Sequence, residues 1–153
     1  MDKKILNIAL VAHDARKKEL VEWCKFNADF LSQHNLCGTG TTARLISEIE
    51  YNGEYPLKNI TRLLPGPLSG DAKISSMIAD GDIDVLIFFC DNLVTQGHQQ
   101  DIGALSRIAS LYNIAFATNR TTADMIISNP LLLDPSYERI IPSAIQNYIN
   151  RQL

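Results

Sequence analysis

Apolar residues occur along the chain in short runs, and the segments between the runs have helical spacing. Residues 5–12 and 85–90 are nearly continuous apolar runs, as expected for parallel strands that are covered on both faces. Three shorter runs, at residues 35–37, 60–64 and 114–117, complete a set of five predicted strands. Because strands and helices alternate, the pattern predicts an α/β, Rossmann-like fold: a five-stranded parallel sheet with helices on both faces.

Helices are predicted between the strands by apolar stripes and by polar residues that can cap them. They cover residues 16–31, the segment after Thr42, residues 71–81, residues 101–112, a segment opened by Thr121 or Thr122, and residues 143–151. Asp14 is the expected cap of the first helix and Ser143 that of the last. No domain boundary interrupts the pattern, so residues 1–153 are expected to form a single domain.

Composition narrows the class of protein. The chain has a formal net charge of −3 and no basic block, which argues against nucleic acid or an anionic membrane as a partner. The apolar run at residues 5–12 is too short to cross a bilayer, and no signal peptide is recognised. The cysteines are scattered among apolar residues without metal-ligand spacing, so they are expected to be reduced core residues of a cytoplasmic protein.

The stretch Gly38-Thr39-Gly40-Thr41-Thr42 is the strongest candidate for chemistry, because it lies between the second strand and the helix that follows. Glycine permits positive φ and a close approach to a ligand. Threonine hydroxyls and the free N–H groups at a helix start can together hold a phosphate. Taken alone, the stretch is better explained by a strand-to-helix turn with a Thr N-cap.

Polar residues follow every predicted strand, and the carboxyl ends of parallel strands share one edge of a sheet, where ligands bind. In chain order they are His13, Asp14 and Lys17; the glycines and threonines; Gly66 and Asp71; Asp91, His98 and Asp101; and Thr118, Asn119 and Arg120. Each has a structural explanation by itself, since Asp71 and Asp101 could be helix caps and Lys17 a surface residue. Their convergence predicts a phosphate site beside an acid, suited to moving a proton on a small phosphorylated metabolite.

Several motifs in this order resemble those of methylglyoxal synthases. They are residues 10–14 with Lys17, residues 39–42, residues 66–71, residues 84–89 with Asp91, His98 with Asp101, and residues 113–119. The resemblance spans about residues 5–127. It implies a methylglyoxal-synthase-like fold and the conversion of dihydroxyacetone phosphate into methylglyoxal and inorganic phosphate, with no metal and no organic cofactor.

The resemblance also implies roles for individual residues. Asp71 would be the base that removes a carbon-bound proton, after which the ene-diolate would expel phosphate. His98 and Asp101 would complete the catalytic set. Substrate, mainly its phosphate, would be held by His13, Lys17, Thr39, Gly40, Thr41, Thr42, Pro65, Gly66 and His98. A homohexamer, and inhibition or cooperativity with inorganic phosphate, are implied in the same way.

Two departures from the family pattern and two alternative functions accompany this interpretation. Pro65 stands where a serine is usual, so one hydroxyl contact to substrate is expected to be missing, and residues 92–97 lack the usual prolines.

A domain of the same fold can instead sense a phosphometabolite without chemistry, as in the regulatory domain of carbamoyl phosphate synthetase. Retention of Asp71, His98 and Asp101 together favours the enzyme. Another phospho-sugar isomerase or lyase is the third possibility.

Overall fold

The computed structural model describes residues 3–68, 70–93 and 102–152. Its strands pair in parallel in the order β3-β2-β1-β4-β5. They are β1 (Asn7–Ala12), β2 (Asn35–Thr39), β3 (Thr61–Leu63), β4 (Val85–Phe89) and β5 (Ala115–Ala117). The predicted five-stranded parallel sheet is therefore confirmed, and each strand lies within two residues of its predicted bounds.

The order of the strands creates a crevice at one edge of the sheet. β1 is central, because Ala9 is paired with Cys37 of β2 on one side and with Leu86 of β4 on the other. The chain runs outward from β1 to β2 and β3, then returns to the opposite side of β1 as β4. In parallel α/β sheets such a reversal opens a ligand-binding crevice at the carboxyl ends of the two strands concerned, here β1 and β4.

The sheet separates two apolar cores. Phe88 and Phe89 are neighbours in β4 and are both buried, yet they belong to different cores, because successive side chains of a strand point to opposite faces. The helices on the Phe89 side are α1 (Lys17–Phe26), α2 (Ala28–Leu31), α3 (Gly40–Ser47) and α6 (Arg120–Ser128). Those on the Phe88 side are α4 (Gly70–Ala79) and α5 (Ile102–Leu111). The prediction of helices on both faces is confirmed.

Three details of the helices differ from the prediction. The single helix expected over residues 16–31 is divided at Asn27, whose side-chain amide donates to the Trp23 carbonyl and so competes with the regular backbone pattern. Asp14 does not cap α1 but lies in a short 3₁₀ turn, Asp14–Arg16, that follows His13. α6 begins at Arg120, because the side chain of Asn119 accepts a hydrogen bond from the Thr122 N–H. The last helix, α7, spans Ser143–Gln152.

The cysteines, predicted to be reduced core residues, lie in the core. Cys24, Cys37 and Cys90 are free thiols that are all buried. Burial raises the pKa of Cys37 to about 11 and that of Cys90 to about 11, so both remain thiols rather than reactive thiolates.

In the part of the chain that the structure describes, no helix combines the length and the apolarity that a membrane span needs.

Candidate active site

His13 and Asp91 meet at the crevice between β1 and β4. The backbone N–H of Asp91 donates to His13 Nδ1 over 2.8 Å. The backbone N–H of His13 donates to the Phe89 carbonyl over 3.1 Å. Because a ring nitrogen that accepts a hydrogen bond carries no proton, the proton of the neutral imidazole lies on Nε2. The ring is buried and makes a T-shaped contact with Phe88, so β4 and the turn that follows it hold both its orientation and its tautomer.

Asp91 has a structural part in the site that the sequence analysis did not assign. Asp91 is buried, and one of its carboxylate oxygens accepts from the Leu93 N–H over 3.1 Å. That bond fixes the turn in which the Asp91 N–H points at His13. The sequence did contain a signal for this part, because Asp91 directly follows the most apolar predicted strand. The topology places that strand, β4, beside β1.

Two glycines shape the elbow at which β2 becomes α3, each for a different reason. Gly40 has φ of +41°, and a Cβ atom there would lie 3.0 Å from Pro65 Cα. At Gly38 a Cβ atom would lie 2.8 Å from the Leu10 carbonyl oxygen of β1. Gly40 therefore supplies the left-handed turn and room for Pro65, whereas Gly38 permits the close approach of β1. Both are needed to place the start of α3 at the edge of the sheet.

The threonines of the elbow lie at the N-terminus of α3. Thr39 is its N-cap residue and is buried, Thr41 is exposed, and Thr42 is almost completely buried. Among the described residues, Thr42 Oγ1 has no hydrogen-bond partner although the atom is buried. A buried polar atom without a partner lowers stability by about 1–3 kcal/mol, so it calls for a functional explanation. An anion at this helix start would pair with the hydroxyl and with the N–H groups of the first turn.

The turn after β3 places Asp71 next to this elbow. The Pro65 carbonyl accepts from the N–H groups of Leu68 and Gly70, over 2.8 and 3.1 Å. A Cβ atom on Gly70 would lie only 2.8 Å from Thr39 Cγ2, so the start of α4 is in direct contact with the elbow. Asp71 is the second residue of α4, is partly exposed, and accepts from the Ala72 N–H through Oδ1. The Asp71 carboxylate and the N-terminus of α3 are thus brought to one edge of the sheet.

Lys17 lies at the start of α1 and forms an ion pair with Asp14. The Lys17 Nζ atom lies 2.6 Å from Asp14 Oδ1, and the Asp14 side chain is 83% exposed. An exposed pair of this kind stabilises a protein by only about 0–1 kcal/mol. Lys17 can therefore exchange this carboxylate for a phosphate oxygen at little cost, while Asp14 remains in solvent.

His98 and Asp101 lie outside the described residues, so their predicted roles stay predictions. At the end of β5, Asn119 serves as the cap of α6, as described above, and it was assigned no other role. Within the described ranges, no three His, Cys, Asp or Glu side chains are grouped so that they could hold a metal ion.

Comparison with known proteins places the chain in a family. The profile of the MGS-like domain matches residues 19–118. The methylglyoxal synthase of Leptospira interrogans serogroup Icterohaemorrhagiae serovar copenhageni is 49% identical over 139 residues, which cover 91% of this chain and 89% of that protein. This chain belongs to the methylglyoxal synthase family. The methylglyoxal synthase of Clostridium acetobutylicum is 46% identical over 134 residues, which cover 88% of each chain.

A solved structure supports the same assignment at the level of the fold. The crystal structure of methylglyoxal synthase from Elizabethkingia anophelis NUHP1 matches with a TM-score of 0.85 at 37% identity. The match covers 100% of this chain and 98% of that one. The resemblance to methylglyoxal synthases and the methylglyoxal-synthase-like fold predicted from the sequence are both confirmed.

Proposed function

We propose that this chain is a carbon–oxygen lyase that converts dihydroxyacetone phosphate into methylglyoxal and inorganic phosphate. One observation carries the proposal: the start of α4, which bears Asp71, packs directly on the elbow of Thr39 and Gly40. This packing brings the Asp71 carboxylate and the start of α3 to the same edge of the sheet, which supports Asp71 as the base and the helix start as the anion site. The names of the relatives, all methylglyoxal synthases over most of their length, support the same reaction.

The chemistry needs one proton transfer before the bond to phosphate breaks. Asp71 removes a proton from the hydroxymethyl carbon beside the ketone, which leaves an ene-diolate. An oxygen electron pair of the ene-diolate then forms the aldehyde carbonyl. The carbon–carbon double bond shifts by one position as the carbon–oxygen bond to phosphate breaks. The products are inorganic phosphate and the enol of methylglyoxal, which tautomerises to methylglyoxal by taking up a proton on its terminal carbon and releasing the enol hydroxyl proton. All atoms of the substrate are accounted for, and no oxidant or reductant is required.

The remaining site residues stabilise the negative charge on the substrate oxygens and on the phosphate. His13 acts as a donor to a substrate oxygen, in a ring orientation that the Asp91 N–H fixes at Nδ1. A preorganised donor of this kind typically lowers the barrier by about 3 kcal/mol. Lys17, Gly40 and the threonines Thr39, Thr41 and Thr42 bind the phosphate and take up its charge as it leaves. In the proposal His98 and Asp101 move protons to and from the substrate oxygens.

Pro65 changes the expected contacts at the turn before Asp71. It has no hydroxyl and no N–H, and its carbonyl is already used by Leu68 and Gly70. Its ring instead packs on Gly40 and so holds the elbow in place. Among the described residues of this turn, the buried Gly66 supplies the N–H that remains for the phosphate.

The test is to incubate the purified protein with dihydroxyacetone phosphate and to measure dicarbonyl product and inorganic phosphate separately. The proposal predicts that both appear in equal amounts. Binding without either product would indicate the phosphometabolite sensor instead. Formation of glyceraldehyde 3-phosphate without phosphate release would indicate an isomerase. The homohexamer, the effect of inorganic phosphate and the cytoplasmic location remain predictions beside this proposal.

A further inference from the structure

A cavity lies at the edge of the sheet opposite to His13 and to the elbow between β2 and α3. Its volume is about 610 Å³, within the range of roughly 300–1,000 Å³ that is usual for small-molecule sites. Leu6, Asp84 and Ile114 line it, and each of them directly precedes a strand, so the cavity is at the amino ends of β1, β4 and β5. Its outer wall is formed by the segment between α6 and α7, including Leu131 and Arg139.

The charges around this cavity leave a net positive environment. Both carboxylate oxygens of Asp84 have a partner, since Oδ1 lies 3.2 Å from Arg139 Nη1 and Oδ2 accepts from the Asn7 N–H over 2.8 Å. Lys4 also lines the cavity, and its Nζ donates to the carbonyl of Tyr137, a neutral acceptor. Of the charged side chains that line the cavity in the described part of the chain, two are cations and one is an anion. One positive charge is therefore left without an opposite charge in the lining.

Arg139 has a donor that the described part of the chain does not satisfy. Its Nε atom is buried and has no hydrogen-bond partner there. A guanidinium cannot lose its proton to escape this situation, because arginine stays charged in proteins. A carboxylate, sulfonate or phosphate oxygen inside the cavity would supply the missing acceptor, in a charge-assisted hydrogen bond.

The other walls of the cavity are apolar. Ile114, Ile126, Leu131 and Leu132 contribute to them, and Leu131 is 50% exposed. We propose that this cavity binds a small amphipathic anion, with Arg139 at its anionic group and these aliphatic side chains around a hydrocarbon or aromatic body. The site is separate from the proposed lyase site and does not depend on it.

The probe is 1-anilinonaphthalene-8-sulfonate, an aromatic sulfonate that becomes fluorescent in apolar surroundings, titrated onto the full-length folded protein. Octanoate and 1-octanol serve as competitors that share a chain length and differ in charge. Leu131→Glu places a negative charge on a half-exposed wall position, and Arg139→Met removes the cation. Phe26→Glu is the matched control, because Phe26 is 81% exposed and does not line the cavity. Circular dichroism and lyase turnover verify that each variant is folded.

The proposal predicts saturable binding of one probe molecule per chain. An anionic contact to arginine typically makes octanoate about tenfold more effective than 1-octanol in displacing the probe. Leu131→Glu and Arg139→Met should each weaken probe binding by a similar factor, and Phe26→Glu should leave it unchanged. Absence of saturable binding, equal competition by the two ligands, or wild-type binding in the Leu131→Glu variant would each overturn the proposal.

Discussion

Thr42 is the residue whose environment is hardest to explain by folding alone. Its hydroxyl is buried at the third position of α3 with no partner in the described part of the chain. Valine has almost the same shape, so a purely structural position would gain stability from losing the hydroxyl. Keeping a threonine there makes physical sense if an oxygen-rich anion occupies the helix start.

Thr42→Val should therefore separate stability from binding. We expect the free energy of unfolding to be equal to or higher than that of the wild type, because an unsatisfied polar atom is removed. Affinity for inorganic phosphate should fall by about tenfold or more, since a hydrogen bond to a charged group is lost. Urea unfolding and phosphate titration measure the two quantities. Thr61→Val, at an exposed position of β3, is the control, and unchanged phosphate affinity in Thr42→Val would contradict the assignment.

The sequence predicted which residues lie at the site, but it did not predict their hydrogen bonds or tautomers. His13 and Asp91 were both predicted at the carboxyl edge because each follows an apolar run. The tautomer of His13 could not be predicted, since it depends on a backbone N–H that is 78 positions away. Only the parallel pairing of β1 with β4 brings that donor to the imidazole.

At the scale of elements, the elbow between β2 and α3 depends on the match between Gly40 and Pro65. Gly40→Ala should destabilise the protein twice: a non-glycine residue at positive φ costs about 1–2 kcal/mol, and the new methyl group would lie 3.0–3.1 Å from Pro65 atoms. Urea unfolding measures the total, and lyase turnover should fall with it because the elbow is displaced.

Gly53→Ala is the matched control for that variant. Gly53 also has positive φ, at +79°, but a Cβ atom there would have no neighbour within 4 Å among the described residues. It should therefore show the backbone penalty alone and retain turnover. If Gly40→Ala loses no more stability than Gly53→Ala, the contact with Pro65 does not constrain the elbow.

The segment between α2 and β2 should make stability depend on pH. His34 Nδ1 accepts from the Leu6 N–H over 3.0 Å, and burial lowers the pKa of His34. Because the folded pKa lies below the unfolded value, the unfolded state takes up the proton first as pH falls through about 6.5. Stability from this group is fully present above that pH and is lost progressively down to the folded pKa. Urea unfolding from neutral to mildly acidic pH should show a smaller loss in His34→Phe, and parallel curves for the two proteins would contradict the prediction.

The elements could be predicted from periodicity, but their ends depended on local hydrogen bonds. β1 and β4 were found because nearly continuous apolar runs indicate burial, and the other three strands because shorter apolar runs alternate with helical segments. The break at Asn27 and the start of α6 at Arg120 depend on side-chain amides that pair with the backbone. Asparagine makes such bonds in turns, caps and loops alike, so its position in a sequence does not reveal which of these it will form.

For the whole molecule, the sheet with two covered faces makes a quantitative prediction about adjacent residues. Phe88→Ala and Phe89→Ala should each lower the free energy of unfolding by about 3–5 kcal/mol, because each empties space in a different core. Chemical unfolding measures both. A sheet packed on only one face would make one of the two substitutions nearly neutral, and that result would contradict the architecture. Phe88→Ala should also reduce turnover, since Phe88 packs against the His13 ring.

The central claim is that Asp71 is the base of a phosphate-eliminating lyase whose anion site lies at the elbow of Thr39 and Gly40. Asp71→Asn keeps the shape of the side chain but cannot accept a proton. Asp80→Asn, at an exposed position just after α4, is the control. The most direct measurement is methylglyoxal formation from dihydroxyacetone phosphate by these variants, beside their affinity for inorganic phosphate. A positioned base contributes roughly 10²–10⁴-fold in rate, so Asp71→Asn should lose at least that much turnover while phosphate affinity is retained and Asp80→Asn stays active. Wild-type turnover in Asp71→Asn would contradict the account.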